Sequence, residues 1–393
     1  MMTLRFVSGL ALAAAFFSSL ALPCMDTIVA APLPIKIGVG GPMTGSDAVF
    51  GAEMRNGVEQ AVRDINAAGG ILHHRLSVDI GDDAGDPKQG VVVAKKFVAD
   101  HVHFVVGHFN SGVTLAASAI YADNNILDIT PASTNPQITE RGLATVFRTC
   151  GRDDQQAAVA AKFLASPKFL ASQGLASQND ERIAIAHDNT TYGKSLADGA
   201  RKELAQLGIK DVLYKGVAKG EKDYSALVSK MKAARADILY WGGQQTEAAL
   251  ILRQMRAHGI ATVMIASSSI ASDEFAAIGG DSVVGTYMTF PLDPRNRPQA
   301  AKVVKAFKAR NLDPETYTLY AYAAVQVIAQ AAQQAHSLDP KAIAKVMHAG
   351  VSFKTVLGVL AFDAKGDITR PDYSIFIWRK GADGKISYYP LRK

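Results

Sequence analysis

The fold of this 393-residue chain is decided by two stretches, V-H-F-V-V-G-H-F-N-S-G-V-T at 102–114 and I-L-D-I-T-P-A-S-T-N-P at 126–136. In the first stretch, an apolar run rich in β-branched residues stops at Gly107, and a loop with Ser and Gly leads into a helical pattern over 113–121. In the second, an apolar strand over 126–129 ends in small hydroxyl residues between two prolines. Each stretch therefore predicts a strand with a polar loop at its carboxyl end.

The two loops are candidates for a ligand site. In α/β sheets, ligands bind at the carboxyl ends of the strands, where a helix N-terminus offers free N–H groups to an anion. Ser111, Ser133 and Thr134 therefore suit a small carboxylate. The same residue types are also common helix caps and turn formers, so the loops alone leave both interpretations open.

Outside these stretches the chain alternates short apolar strands with amphipathic helices, which predicts α/β architecture with parallel sheets. A polar segment over 293–298 has the composition of a linker, and helices, including the apolar one over 317–335, follow it. The further predicted strands are 35–39, 76–80, 182–187, 211–214, 238–241 and 263–266.

The first 31 residues have the pattern of a secretory signal peptide. Arg5 precedes an uncharged apolar run over 6–22, and small residues suitable for cleavage follow over 28–31. Pro23 beside Cys24 is a poor context for lipid attachment. No later stretch reaches the roughly 18 apolar residues of a spanning helix, so we expect an exported protein without a membrane span.

Composition narrows the function classes. The net charge is +6, and no Lys/Arg cluster is interleaved with aromatic residues, so we expect no nucleic-acid partner. A mature chain of about 360 residues exceeds what one core usually serves, and this predicts two domains. Because Cys24 lies in the predicted signal, Cys150 remains without a partner for an intrachain disulfide.

The sequence contains none of the enzyme signatures G-x-S-x-G, H-E-x-x-H or the phosphate loop. The stretch G-V-G-G-P-M over 38–43 has methionine where the dinucleotide fingerprint G-x-G-x-x-G requires its third glycine. His101, His103 and His108 lie close together without a carboxylate or thiol placed to complete a metal site. We therefore expect neither an enzyme nor a metal or cofactor.

The chain resembles the periplasmic leucine/isoleucine/valine-binding proteins, which are the substrate-binding components of branched-chain amino acid ABC importers. The resemblance covers essentially the whole mature chain. It rests on G-P-M-T-G (41–45), D-D-A-G-D-P-K-Q (82–89), G-H-F-N-S-G (107–112), I-T-P-A-S-T-N-P (129–136), F-R-T-C-G-R-D-D-Q-Q (147–156), T-Y-G (191–193), G-E-K-D-Y-S (220–225) and Y-T-L-Y-A-Y-A-A (317–324).

This resemblance implies a type I periplasmic-binding fold, in which two doubly wound parallel-sheet lobes close on a ligand. Three crossovers would join the lobes near Asp153, Pro291 and Arg370. Lobe one would comprise 32–152 and 292–369, and lobe two 153–291 and 370–393.

The resemblance also implies a ligand set. Ser111 and Thr134 would bind a ligand carboxylate through hydroxyl and N–H groups, while the Ala132 carbonyl and the Thr134 hydroxyl would receive an ammonium group. Aromatic residues would wall the side-chain pocket, and Tyr192 would close over the ligand from lobe two. The complete predicted set is Phe50, Phe109, Asn110, Ser111, Ala132, Ser133, Thr134, Tyr192, Gln244, Ser268 and Tyr317.

Three departures from the family pattern bear on the ligand. Gly85 and Asn110 occupy positions that often carry a disulfide, and Gln244 occupies that of a ligand-contacting tyrosine. Ser268 occupies the position of the acid that pairs with the ammonium, and a buried ammonium without a counter-charge costs several kcal/mol. Either the ligand lacks an ammonium, as 2-keto and aromatic acids do, or another acid replaces the missing one, the candidates being Asp188, Glu247 and Asp273.

The predicted function is therefore that of a periplasmic substrate-binding protein of an ABC importer, acting as a monomer with a permease in the inner membrane as its partner. The alternatives are a binding protein for a non-amino carboxylate and a soluble amide or amino-acid sensor of the same fold. The signal peptide favours transport over sensing.

Overall fold

A computed structural model describes residues 1–4, 33–175, 177 and 181–391. The predicted signal peptide over 1–31 thus lies almost wholly outside the described residues. The first part of the described chain alternates strands and helices: β1 (Ile35–Gly41), α1 (Ala48–Ala67), β2 (Leu76–Asp82), α2 (Pro87–Ala99), β3 (Phe104–Gly107), α3 (Ser111–Asp123), β4 (Leu127–Thr130), α4 (Gln137–Glu140) and β5 (Val146–Arg148).

These strands form a parallel sheet in the order β2-β1-β3-β4-β5. The crossover helices have local reasons to start where they do. Pro87 opens α2, and the Asp86 carboxylate accepts the N–H groups of Lys88 and Gln89 at 2.6 and 3.2 Å. The strands β3 and β4 are buried along their whole length, as expected for a sheet covered by helices on both faces.

The middle of the chain forms a second sheet. Its elements are α5 (Asp153–Leu164), α6 (Pro167–Ser172), β6 (Ile183–His187), α7 (Thr191–Gln206), β7 (Leu213–Gly216), α8 (Ser225–Ala233), β8 (Ile238–Gly242), α9 (Gln245–Ala257), β9 (Val263–Ala266), α10 (Asp273–Gly279) and β10 (Tyr287–Pro291). The strand predicted over 211–214 thus lies two residues later in the structure.

The C-terminal part contains α11 (Ala301–Lys308), α12 (Thr316–Ala335), α13 (Pro340–His348), β11 (Phe353–Thr355), β12 (Gly358–Leu360), β13 (Tyr373–Lys380) and β14 (Ile386–Pro390). The second sheet has the order β14-β13-β10-β9-β8-β6-β7, in which β13 and β14 pair antiparallel. The predicted parallel arrangement holds for β6 to β10, and β13 and β14 extend the sheet at one edge as antiparallel strands. A short turn joins β13 and β14, and such a hairpin connection allows only antiparallel pairing.

The apolar helix α12 belongs to the core of the first sheet, although it follows strands β6 to β10 of the second sheet in the chain. It packs against α1 so closely that a Cβ atom on Gly57 would lie 2.1 Å from the carbonyl oxygen of Thr318. Glycine permits this approach, and the core cluster that contains Ile37 and Val106 also contains Val325. Separate clusters line the two faces of the second sheet. Among the described residues, no helix is both long and apolar enough to span a bilayer.

Candidate functional site

The loop after β3 brings Phe109, Asn110 and Ser111 to the N-terminus of α3. The helix begins at Ser111, with Asn110 in an extended conformation before it, so the first-turn N–H groups and the helix dipole favour an anion there. The Asn110 side chain does not cap the helix. Its Nδ2 donates to Oδ2 of Asp47 at 3.0 Å, and its Oδ1 has no hydrogen-bond partner in the described part of the chain.

The loop after β4 is fastened to the loop after β3 by hydroxyl groups. The Ser133 hydroxyl lies 2.9 Å from the carbonyl oxygens of both His108 and Phe109, and the Thr130 hydroxyl donates to the His108 carbonyl at 2.8 Å. The Ser133 N–H donates to the Thr130 hydroxyl at 3.0 Å. The polar groups of Ser133 are thus engaged in fixing the loop that presents Ala132 and Thr134.

Two aromatic rings, those of Phe109 and Tyr317, line one wall of the site, and the ring of Phe50 packs behind them. Phe50 and Phe109 stack with ring centroids 4.3 Å apart and planes inclined by 9°. Tyr317, from the first turn of α12, meets both rings edge-on at centroid distances of 5.6 and 5.3 Å. All three side chains are nearly inaccessible to solvent, and Phe109 and Tyr317 present apolar ring surface to the cleft.

The opposite wall comes from the second sheet. Tyr192 lies in the first turn of α7, and its hydroxyl hydrogen-bonds to that of Ser267. Gln244 precedes α9, where its N–H donates to Oδ2 of Asp188 at 3.2 Å, while its side-chain Oε1 has no partner in the described structure. Ser268 lies two residues after the last residue of β9. These residues again lie at the carboxyl ends of parallel strands.

The two walls face each other across a narrow cleft that contains about 240 Å³ of space between atoms, part of it open to solvent. The Tyr317 hydroxyl donates across it to the carbonyl of Ser268 at 3.5 Å. Of the predicted ligand set, Phe50, Ser133 and Thr134 do not line the cleft; Phe50 stacks behind Phe109, and the other two follow Ala132 in the chain. The lining residues are Phe109, Asn110, Ser111, Ala132, Tyr192, Gln244, Ser268, Ser269 and Tyr317, of which Ser269 alone is absent from the prediction.

At one edge of the cleft, Lys219 from the β7–α8 loop forms an ion pair with Asp47, which precedes α1. The Asp47 side chain also receives the Asn110 amide. A Cβ atom on Gly85 would lie 3.2 Å from Oδ1 of Asn110 and 3.4 Å from Nζ of Lys219. Gly85 and Asn110, the two positions where the family pattern often has a disulfide, are therefore adjacent, and polar contacts connect them to the second sheet.

Two buried residues that support the binding loops are not in the predicted set. The His108 ring lies 2.6 Å from an Asp83 oxygen and 2.8 Å from the Tyr121 hydroxyl, all three side chains being inaccessible to solvent. Among the described residues, no group of three or more His, Cys, Asp or Glu side chains could hold a metal ion. The His108 carbonyl accepts from the loop hydroxyls, which gives this histidine a structural function.

Arg148, the second such residue, lies in the buried strand β5, within the motif F-R-T. An arginine inside a buried strand is the sequence feature that could have identified it. Its guanidinium donates to the carbonyls of Ser133 and Asn135 at 3.0 and 3.1 Å and to the Thr139 hydroxyl at 2.8 Å. It also pairs with Asp367 at 2.6 Å while fully buried. A planar guanidinium has several N–H donors, so it can fix the conformation of a loop by binding several of its carbonyl oxygens at once.

Burial raises the pKa values of several acidic residues near the cleft. It raises the pKa of Asp153, at the start of α5, to about 7, against the lowering effect of the Thr134 and Ser195 hydroxyls. It raises the pKa of Asp188 to about 6 and that of Glu53, which accepts the Tyr317 N–H at 3.0 Å, well above its ordinary value. Desolvation of the charged form is the dominant cause in each case.

Two parallel-stranded units with polar loops meeting at a cleft define a binding protein of the periplasmic type, and sequence comparison agrees. The chain belongs to the periplasmic binding protein family, whose profile matches residues 34–384. This confirms the type I periplasmic-binding fold.

Named relatives cover nearly the whole chain. It is 51% identical over 354 residues to Leu/Ile/Val-binding protein homolog 1 of Brucella melitensis, covering 90% of this chain and 93% of the relative. It is 42% identical over 360 residues to an amino acid binding protein of Pseudomonas aeruginosa, covering 91% and 92%. The crystal structure of the leucine-binding protein LivK of Thermotoga maritima superposes with a TM-score of 0.79 at 25% identity, covering 90% and 97%.

Proposed function

We propose that this protein is the periplasmic substrate-binding component of an ABC importer for branched-chain or similar aliphatic amino acids. The observation that carries the proposal is the cleft itself, where a helix N-terminus with Ser111 and an apolar aromatic wall line the same narrow space and face residues of the second sheet. A carboxylate fits the first and an aliphatic side chain the second. The names of the Brucella and Pseudomonas relatives support the same ligand class.

In this proposal the predicted ligand set acts in three groups. Ser111 and the Thr134 N–H bind the carboxylate, and the Ala132 carbonyl and Thr134 hydroxyl accept from the ammonium. The aromatic wall receives the side chain. Tyr192, Gln244 and Ser268 approach from the second sheet, and Asn110 and Ser133 position the loops.

The lobe boundaries are part of the proposal: 32–152 with 292–369, and 153–291 with 370–393. Their support is that the core of the first sheet includes α12 and β11, whereas β13 pairs with β10 in the second. Ligand binding would close the lobes about the crossovers, because the site draws on both. Small-angle scattering should then give a smaller radius of gyration with saturating ligand than without it.

A thermal-shift screen of the mature protein tests the ligand class. Leucine, isoleucine and valine at about 100 times their dissociation constants should each add about 2.7 kcal/mol of stability. Alanine, 4-methyl-2-oxopentanoate and benzoate should be included. Stabilisation by the keto acid or benzoate but by none of the amino acids would replace the proposal with binding of a non-amino carboxylate. Genes for a permease and an ATPase beside this one would favour transport over sensing.

A further inference from the structure

An amino-acid ligand brings an ammonium group into a cleft whose lining contains no carboxylate. The lining residues within the described chain are aromatic, hydroxyl or amide residues and one alanine. Oxygen atoms of Ala132 and Thr134 can accept hydrogen bonds from an ammonium, but they do not neutralise it. A buried charge without a partner is strongly unfavourable, so the inference, which rests on the proposed function, concerns the source of the counter-charge.

The three acids that the sequence suggests are engaged elsewhere. Asp188 accepts the Thr190 N–H and hydroxyl at 3.0 and 2.6 Å through one oxygen and the Gln244 N–H through the other. Glu247 accepts the Gly220 N–H at 2.8 Å through one oxygen, which ties it to the β7–α8 loop, while its other oxygen has no partner in the described structure. Asp273 pairs with Lys385 at the exposed surface.

Asp153 combines two unpartnered carboxylate oxygens with a direct backbone contact to the loop of Thr134. It is fully buried, and neither carboxylate oxygen has a hydrogen bond of ordinary geometry within the described structure. Its N–H donates to the Thr134 carbonyl at 2.8 Å, which ties it to the binding loop. The hydroxyls of Thr134 and Ser195 and the ring of Tyr192 are its polar neighbours.

We propose that Asp153 supplies the negative charge that balances the ligand's ammonium group, acting through the Thr134 hydroxyl, in place of the acid that position 268 lacks. A hydroxyl has one donor and two acceptor sites. The Thr134 hydroxyl has no ordinary hydrogen bond in the described structure and lies just outside the cleft lining. In this proposal the ammonium reaches it beyond Ala132, so the hydroxyl donates to Asp153 while it accepts from the ammonium. In a buried site of low dielectric, the Asp153 carboxylate still attracts the ammonium strongly when one hydroxyl lies between them.

The same arrangement couples ligand binding to a proton. Burial holds the pKa of Asp153 at about 7, so near neutral pH the ligand-free protein carries this carboxyl partly protonated. An arriving ammonium favours the carboxylate, and the proton leaves to solvent. The charge of Arg148 lowers the pKa of Asp153, while the charge of Asp154 raises it. The other titratable neighbours have pKa values raised by burial and stay neutral at pH 7: Cys150, Tyr192, Tyr240 and Tyr373.

Calorimetric titration of the mature protein with leucine in buffers of different ionisation enthalpy measures this proton. We expect release of about half a proton per leucine at pH 7, close to one at pH 6 and none at pH 9. With 4-methylpentanoate, which lacks the amine, no release is expected. This measurement needs no variant, so it survives if substitutions impair folding.

Asp153→Asn should abolish the release and weaken leucine binding by about 30-fold or more, while changing affinity for 4-methylpentanoate by less than about threefold. The matched control is Asp128→Asn, which alters another fully buried carboxyl without hydrogen-bond partners in the described structure, away from the cleft lining. This control variant should bind leucine and release the proton as the parent does.

The outcomes separate the two proposals. If the parent binds leucine and Asp153→Asn keeps both its affinity and its proton release, Asp153 is not the counter-charge. Equal weakening of leucine and 4-methylpentanoate would also overturn the inference, since it would show a purely structural role. Failure of the parent to bind any amino acid would instead overturn the proposed function.

Discussion

Nζ of Lys219 lies 2.8 Å from Oδ2 of Asp47, and this ion pair joins the two sides of the cleft at its edge. Asp47 is almost fully buried and Lys219 partly so, and the carboxylate of Asp47 raises the pKa of Lys219 against the effect of burial, the largest single influence. The pair exists only while the two sides are in contact, so it stabilises the enclosed arrangement.

Lys219→Met should therefore weaken amino-acid binding by about 5- to 30-fold, which is less than for a fully buried pair because Lys219 is partly solvated. Isothermal titration calorimetry measures the change. Lys385→Met, which removes an exposed pair within the second sheet's part of the chain, is the control and should bind as the parent does. Equal affinities for both variants would show that the Asp47 pair does not contribute to closure.

Thr134→Val should weaken amino-acid binding by about 10- to 100-fold, because a charge-assisted hydrogen bond is lost and a buried methyl replaces the hydroxyl. Thr134→Ser retains the hydroxyl and should remain within about threefold of the parent. Titration of both variants with leucine gives the comparison. If valine is tolerated at this position as well as serine, the Thr134 hydroxyl does not contact the ligand.

Ser268→Asp should raise the ratio of affinities for leucine over 4-methyl-2-oxopentanoate by about tenfold or more. Position 268 is nearly buried beside the Tyr192 hydroxyl, so a carboxylate there attracts an ammonium and repels a second acid. Competition titrations with the two ligands measure the ratio. An unchanged ratio would mean that the side chain at 268 does not face the ligand.

Asp153→Asn should raise the unfolding free energy of the ligand-free protein at pH 8 by about 2 to 4 kcal/mol. The pKa of Asp153 is raised to about 7 in the folded state, so the folded protein holds this proton more tightly than the unfolded chain. Its contribution to stability is present at low pH and is lost as the pH rises towards 7. The gain should thus vanish by pH 4.

Urea denaturation at pH 4, 6 and 8 tests this pH dependence. Glu140→Gln is the control, because hydrogen bonds from Lys365 and Arg152 lower the pKa of Glu140, which is the opposite direction. It should give no gain at pH 8. A gain for Asp153→Asn that is equal at all three pH values would exclude the ionisation as its cause.

Arg148→Met should lower the unfolding free energy by about 3 to 5 kcal/mol, because it leaves loop carbonyls and Asp367 without a buried partner. Arg55→Met removes an exposed helical pair with Glu59 and should change stability by less than about 0.5 kcal/mol. Denaturation of both variants under the same conditions gives the difference.

Much of the first sheet could be predicted because its signals are local. The strand of Gly107 ends where an apolar run ends, and Pro87 and Asp86 mark a helix start that depends on no other part of the chain. The strands β13 and β14 are different. Their place at the edge of the second sheet depends on pairing with β10, more than 80 residues before β13, and nothing near them in the sequence specifies that partner.

The site shows the same division. Ser111 and Thr134 could be named from their own loops, with the family resemblance supplying their roles. The contacts of His108 and Arg148 could not be derived, because their partners Asp83 and Asp367 are distant in sequence. The contrast between Asp153 and Asp188 likewise depends on which hydroxyl and N–H groups surround each carboxylate in three dimensions, and composition or spacing carries no such information.

The cleft that Tyr317 and Ser268 bridge has a kinetic consequence. A ligand between the aromatic wall and Tyr192 can leave for bulk water only after the two sides separate. The rate of that separation is therefore the upper limit of the dissociation rate of any ligand. Amino acids that differ in equilibrium affinity would then leave at similar rates once opening is the slow step. For an importer this upper limit is useful, because a permease that separates the two sides would release the ligand at the membrane rather than before the protein reaches it.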